Sequence, residues 1–335
     1  MQYLCKKNHL MDKILGLGNA LTDVSVILKN DDILTALHLP KGGMVHISDE
    51  LYRKIQQMIG QHHVTITPGG SIANSCRAMG HLGVPVGFIG KVGHDKVGQN
   101  YAKSLTDVGV ENMMVLSPTL SSGVCTSFIS QEGERTFADH MGASIDLKAE
   151  DLQPEMFEGY QYLFLEGYLV QNHELIERGA IMAKEAGMKV VMDMASYNII
   201  QEDHDFYTNL VDKYIDIIFA NEKEAKAFTG LEPYEAAKKL TDYCKIVIVK
   251  IGEKGSLIAT KEGVSEVPAQ TVNCLDSTGA GDYYAAGFLY GLINGHSLSQ
   301  CAEIGSIIAA EVVQVIGTEL PQEKWIEIKH KIAKV

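Results

Sequence analysis

The chain has 335 residues, 46% of them apolar and 21% charged, enough for one large α/β domain with an insertion or for two modest domains. A net charge of −13 argues against nucleic acid or an anionic membrane surface as partner. Six cysteines, none in a C-x-x-C pair, make neither a zinc pattern nor a disulfide framework and fit a reducing cytoplasm.

Residues 1–10 contain Lys6, Lys7, Asn8 and His9 without an apolar core, so they read as a flexible extension rather than a signal peptide, and structure is expected to open at Met11. Strands are expected over 14–18 and 23–28. A helix over 48–60 with Ser48 as its N-cap and a short strand over 64–67 follow. Next come a helix over 71–82, a strand over 86–89 and a helix over 95–108. The β-branched run 122–130, a turn at 131–134 and the arm 135–138 predict a hairpin. Strands over 162–165, 189–193, 215–220, 246–250 and 256–260 are interleaved with helices over 172–186, 206–211, 222–229 and 234–243. Helices over 283–294 and 299–317 close the series. The alternation predicts a mostly parallel central sheet flanked by helices on both faces. The β-rich stretches near 20–50 and 110–140 do not follow it and predict a small added sheet. No proline-rich linker divides residues 11–335, which read as a single α/β domain. No run reaches 18 apolar residues, so no membrane span is expected.

The segment Asp276-Ser277-Thr278-Gly279-Ala280-Gly281-Asp282 carries the most chemistry. A glycine-rich turn feeding a helix gathers backbone N–H groups and the positive end of the helix dipole, which makes an anion site. A carboxylate within such a turn repels an anion unless it has a task of its own. Asp282 is either an N-cap or a proton acceptor beside a phosphate in transfer. Two further clusters have a polar residue close to glycines. Pro68-Gly69-Gly70-Ser71-Ile72-Ala73-Asn74 lets a ligand approach the backbone and offers Asn74 as donor and acceptor at once. Gly18-Asn19-Ala20-Leu21-Thr22-Asp23 lacks the third glycine of a dinucleotide fingerprint, because Leu21 stands there.

These motifs, in this order, resemble those of the ribokinase-like, or phosphofructokinase-B, family of carbohydrate and nucleoside kinases. The 276–282 segment matches D-T-x-G-A-G-D with Ser277 in place of Thr, which keeps the hydroxyl. Gly69, Gly70 and Asn74 match G-G-x-x-x-N, and Asn19 and Asp23 match G-N-x-x-x-D. Asn221 and Glu224 match N-x-x-E, although they also read as a helix capping box. Lys250, Gly252 and Gly255 match K-x-G-x-x-G. Residues 90–98 resemble a G-x-V-G-x-D-x-x-G block, read as packing and helix capping.

The resemblance covers about residues 14–317 and implies a ribokinase-like fold whose small β-sheet is a lid. It implies Asp282 as the catalytic base, with the amides of Gly279, Ala280 and Gly281 around the transferred phosphoryl. Asn19, Asp23, Gly69, Gly70 and Asn74 would bind the acceptor. Asn221, Lys250, Gly252 and Gly255 would line the nucleotide site, with Arg135 reaching from the lid hairpin to the triphosphate. Glu224 would organise Mg²⁺ through water. The expected activity is ATP-dependent phosphorylation of a hydroxyl, a primary CH2OH, on a small acceptor. The G-N-A-L-T-D start, the stretch 133–137 and residues 166–169 look closest to bacterial adenosine-kinase-like members. Adenosine or a related nucleoside is therefore favoured over ribose or a fructose derivative, with lid Phe137 and nearby Met or Leu residues as the wall of a base slot. A nucleotide- or sugar-sensing protein without turnover is the other class of reading. A monovalent cation, and the choice between a monomer and a lid-paired homodimer, stay open on sequence.

Overall fold

The computed structural model describes residues 11–335. The expected extension at 1–10 lies outside the described residues. Fourteen strands form two sheets. They are β1 (Ile14–Leu17), β2 (Leu21–Ile27), β3 (Met44–His46), β4 (His63–Pro68), β5 (Val86–Gly93), β6 (Glu111–Ser117) and β7 (Gly123–Ile129). The rest are β8 (Arg135–His140), β9 (Tyr162–Glu166), β10 (Lys189–Asp193), β11 (Ile217–Asn221), β12 (Ile246–Lys250), β13 (Ser256–Thr260) and β14 (Gly263–Val267).

The large sheet has nine strands in the order β14-β13-β12-β11-β10-β9-β1-β5-β6. From β12 to β6 every pairing is parallel, and β13 and β14 fold back antiparallel at one edge. Its central strands are near-continuous apolar runs buried on both sides, as a helix-covered parallel sheet requires. Successive residues feed two cores. Leu15, Leu17, Leu163, Leu165, Val190 and Met192 join one, while Ile14, Phe164 and Val191 join the other. The first core is closed by helices including His173–Glu185 and Glu222–Thr229. The second is closed by Ser71–Leu82, Ala280–Ile293 and Leu298–Val312.

The small sheet runs β3-β8-β7-β2-β4. One face packs Val24, Val26, Val124, Phe128 and Ala138 on a third core with helices Asp32–Ala36 and Asp49–Ile59. Ser48 caps the latter by accepting from the Leu51 amide, as expected. Two strands fall differently from the sequence reading. Residues 111–117 extend the large sheet beside β5 instead of joining the lid, and 63–68 pair antiparallel with β2 inside it. The block 90–98 is structural, as expected. Its first half continues β5, and Asp95 caps the next helix at the Gly98 amide (2.8 Å) while also accepting from the Ser122 hydroxyl (2.7 Å).

Candidate active site

The residues singled out above collect at the carboxyl ends of the parallel strands, where open α/β sheets bind ligands. Asn19 follows β1, Asn221 ends β11 and Lys250 ends β12. Two residues not singled out, Glu166 and Asp193, end β9 and β10.

The helix Ala280–Ile293 starts three residues earlier than the sequence suggests, because Gly279 is its N-cap in the left-handed region (φ +76). Ala280, Gly281 and Asp282 therefore form its first turn. The Asp282 side chain makes no capping bond. It reaches instead to a second helix start, accepting from Ser71 Oγ (2.7 Å) and Asn74 Nδ2 (2.9 Å). Burial pushes its pKa up to about 6 against the pull of these two donors, and the charge of Asp193 adds to the rise. The Ala280 amide already donates to the Ser277 carbonyl (3.2 Å), so the expected three-amide cradle loses a member. Among the described residues nothing accepts from the Gly279 or Gly281 amide.

On the lid side, Asn19 is fixed by Glu166, which accepts from its amide (3.1 Å) and from Nδ2 (2.8 Å). Burial raises the Glu166 pKa to about 7. Gly70 sits at φ +82 against the Asn19 carbonyl, and the Asp23 carboxylate fills the side of Gly69 where a Cβ would stand. Asp23 is raised to about 6, by burial first, with Arg77 opposing and Asp139 and Asp282 adding. Arg77 has a position that the sequence reading missed. Its buried Nη2 donates to the carbonyls of Pro68 (2.8 Å) and Gly69 (3.0 Å) and to Asn74 Oδ1. The last bond orients the Asn74 amide so that its NH2 faces Asp282. Arg77 follows Asn74 at the i+3 spacing that joins side chains on one helix face, and that spacing was the available signal.

A 590 Å³ cavity opens between lid and large sheet, lined by Asn19 and Asp139 among others, with an apolar wall that includes Met141, Leu147 and Leu169. Among the described residues no lysine or arginine lines it, and His46 and His140 do. Phe137 is not part of its wall. It faces Met44 and Ser127 across neighbouring strands, so the expected aromatic is replaced by aliphatic residues and Tyr168.

Toward the opposite end, Asn221 and Glu224 form the capping box. Glu224 donates its amide to Asn221 Oδ1 (2.9 Å) and accepts from the Asn221 amide (2.8 Å). Burial lifts Glu224 to about 7, with Asp193 adding and Lys250 opposing. Lys250 Nζ donates to Asp193 Oδ2 (2.8 Å), and a Cβ on Gly281 would lie 3.0 Å from that ammonium. The lysine thus underlies the anion loop. Gly252 begins the turn after β12 with open space on its Cβ side, whereas the same side of Gly255 is filled by the Val267 carbonyl, which keeps a ligand away. Arg135 crosses from the lid to donate to Asp276 Oδ2 (3.2 Å) and Thr278 Oγ1 (3.4 Å), tying lid to anion loop. Among the described residues no three His, Cys, Asp or Glu side chains are grouped to hold a metal. Glu224 and Asp193, already bonded to Asn221 and Lys250, fit an ion that keeps its waters and meets the protein through them.

The model of the pfkB family carbohydrate kinases matches residues 44–325. The chain is 30% identical over 274 residues to a 5-dehydro-2-deoxygluconokinase of Clostridium perfringens, covering 73% of this chain and 78% of that one. Among solved structures it is similar to a probable sugar kinase of Rhizobium etli CFN 42, with TM-score 0.84, 26% identity and coverage of 97% and 100%. It is also similar to the adenosine kinase of Sinorhizobium meliloti, with TM-score 0.82, 26% identity and coverage of 97% and 99%. Sugar kinases and an adenosine kinase thus stand side by side among the relatives, and the shared activity is phosphoryl transfer to an alcohol. The anion loop, the strand-end polar groups and the lid have their common explanation here: the chain belongs to the pfkB family of carbohydrate kinases, phosphotransferases with an alcohol acceptor.

Proposed function

We propose that this kinase moves the γ-phosphoryl of ATP to a primary CH2OH of an uncharged acceptor, an adenosine-like nucleoside in the first reading. The observation that carries the proposal is the Asp282 carboxylate, poised near neutral pH beside free amides of the anion loop and facing Asn74 and Ser71. In the reaction the acceptor oxygen attacks phosphorus and its proton passes to Asp282. The bond from phosphorus to the bridging oxygen of ADP breaks. The Gly279 and Gly281 amides and the Lys250 ammonium stabilise the charge on the group in transit. Magnesium, when bound with ATP, would neutralise the polyphosphate, and Glu224 and Asp193 would hold its waters. Arg135 would keep the lid on the loop and water out.

The cavity chemistry supports an uncharged acceptor. Asp49, bonded to His140 Nε2, and Asp139 line it with His46, and among the described residues no lysine or arginine joins them, so a gluconate-type carboxylate would find acidic neighbours and no permanent cation. Its aliphatic wall suits a base. A free sugar is the second reading, favoured by the polar groups of Asn19, Asp23 and Asn74, which a ribose alone would satisfy. ADP release measured over nucleosides, neutral sugars and gluconates tests the proposal. Turnover should be highest with a nucleoside, and a gluconate as best acceptor would overturn it.

A further inference from the structure

A row of side chains crosses the small sheet and ends at the 590 Å³ cavity, which Asp139 and His46 line. Asp23 pairs with Cys125, Cys125 with Asp139, and Asp139 with His46, so the four share one face of the small sheet. Strands lie about 4.8 Å apart, which puts Asp139 about 10 Å along the row from Asp23. Asp139 lines the cavity, is only 8% exposed, and its Oδ1 has no hydrogen-bond partner among the described residues. The guanidinium that offsets Asp23 commits its Nη2 to Pro68, Gly69 and Asn74, and its Nη1 bonds to nothing among the described residues, Asp139 included. The nearby Cys125 thiol is a weak donor. It is held protonated by burial first and then by the charge of Asp139. A buried carboxylate with one oxygen unpartnered and only a thiol as donor beside it carries a free-energy cost that a ligand donor would remove.

Resting on the kinase reading above, we propose that Asp139 is a second acceptor-recognition residue, accepting from adjacent N–H or O–H donors on the part of the acceptor remote from the phosphorylated hydroxyl. The acceptor then spans the row from Asp23 to Asp139. The shared chemistry is a paired donor edge. It is supplied either by a purine base, through adenine's 6-amino group or through a guanine-type N1–H with its 2-amino group, or by a vicinal diol of a sugar.

The test compares wild type with Asp139→Asn, Asp139→Ala and Cys125→Ala. Binding of guanosine, inosine, adenosine and ribose is followed by titration calorimetry, turnover by ADP release, and folding by thermal melting. Loss of a hydrogen bond to a charged group predicts a rise of about 10-fold to 150-fold in acceptor Kd and KM for both Asp139 variants. kcat and the KM for ATP stay unchanged, and Cys125→Ala, which removes only a weak donor from Asp139, shifts acceptor Kd far less than either Asp139 variant. A ranking of guanosine over inosine over adenosine assigns the donors to the base; equal losses for ribose assign them to the diol. Unchanged acceptor affinity in Asp139→Ala, with a melting temperature equal to or above wild type, overturns the inference by marking the carboxylate as a merely buried charge. Absence of turnover with intact, Asp139-dependent binding would remove the kinase reading and leave this one standing.

Discussion

Ser71→Ala isolates one of the two donors that hold Asp282. The hydroxyl donates to the carboxylate at 2.7 Å and contributes nothing else to it. A hydrogen bond to a charged group contributes about 1.5–3 kcal/mol, and a water entering in its place recovers part of that. A net loss of about 1.4 kcal/mol corresponds to one pKa unit. Removing a donor from the ionised form raises an acid's pKa, so the carboxyl moves from about 6 in the wild type to about 7 in the variant. At pH 7 the ionised fraction then falls from roughly nine-tenths to roughly a half, and at pH 6 from roughly a half to roughly a tenth. The assay is the pH profile of kcat/KM for the acceptor, which reports the free enzyme. The acid limb should shift upward by about one unit, with wild-type rates regained near pH 9. A rate lowered by the same factor at every pH, with the limb in place, would refute Asp282 as the titrating base.

Three other outcomes follow from the same geometry. Asp282→Asn should lose about 10²-fold to 10⁴-fold in turnover and still bind ATP by calorimetry. Arg77→Lys should lower kcat with little change in the KM for ATP, because the flexible lysine stem would not hold a donor fixed where Nη2 serves two carbonyls and Asn74 Oδ1; wild-type kcat would show that the Asn74 orientation is set elsewhere. The ligand-free protein should melt at rising temperature as pH falls from roughly 8 to 5.5. Glu166 near 7 and Asp23 and Asp282 near 6 lie above their unfolded values, so their ionisation destabilises the fold above those pKa values, and the cost disappears as pH drops through them. Glu166→Gln should flatten that slope in differential scanning calorimetry.

Local signals were read well. The helices Ser71–Leu82 and Glu222–Thr229 and the strands β10, β12 and β13 fall on the expected residues, because glycine turns, caps and apolar runs punctuate them. The anion loop was legible for the same reason: it is contiguous. What escaped was long-range. Residues 111–117 and 63–68 are short strands whose composition states that they pair, and only the fold decides with which sheet. Glu166 meets Asn19 across 147 positions and Asp193 meets Lys250 across 57, so no spacing rule connects them. Their carboxylates end buried strands, where an acidic residue after an apolar run marks the point at which the chain leaves the core. The helix start at Ala280 was placed late because Ala-Gly-Asp has weak propensity, and the left-handed Gly279 overrides it.

The charge balance explains how so acidic a chain would take a triphosphate. Two cations that meet the anion loop among the described residues are already paired: Lys250 with Asp193, and Arg135 with Asp276. Burial works against the charge on Lys250, yet Asp193 and Glu224 more than offset it, so the ammonium stays charged at any working pH. A free triphosphate would have to compete with Asp193 for that lysine while facing Glu224 and Asp282. For a triphosphate that brings a divalent ion the same carboxylates would be attractive: Glu224 and Asp193 would hold the ion's waters, and the pair Lys250–Asp193 would not have to open. Under the proposed reading the raised acid Glu224 at this end would complement a metal–nucleotide complex, while at the lid end the raised acid Asp23 would complement a donor-rich neutral alcohol. On this argument the two halves of the site are distinguished by which ligand relieves the crowded negative charge, and Asp282 lies where the two fields meet.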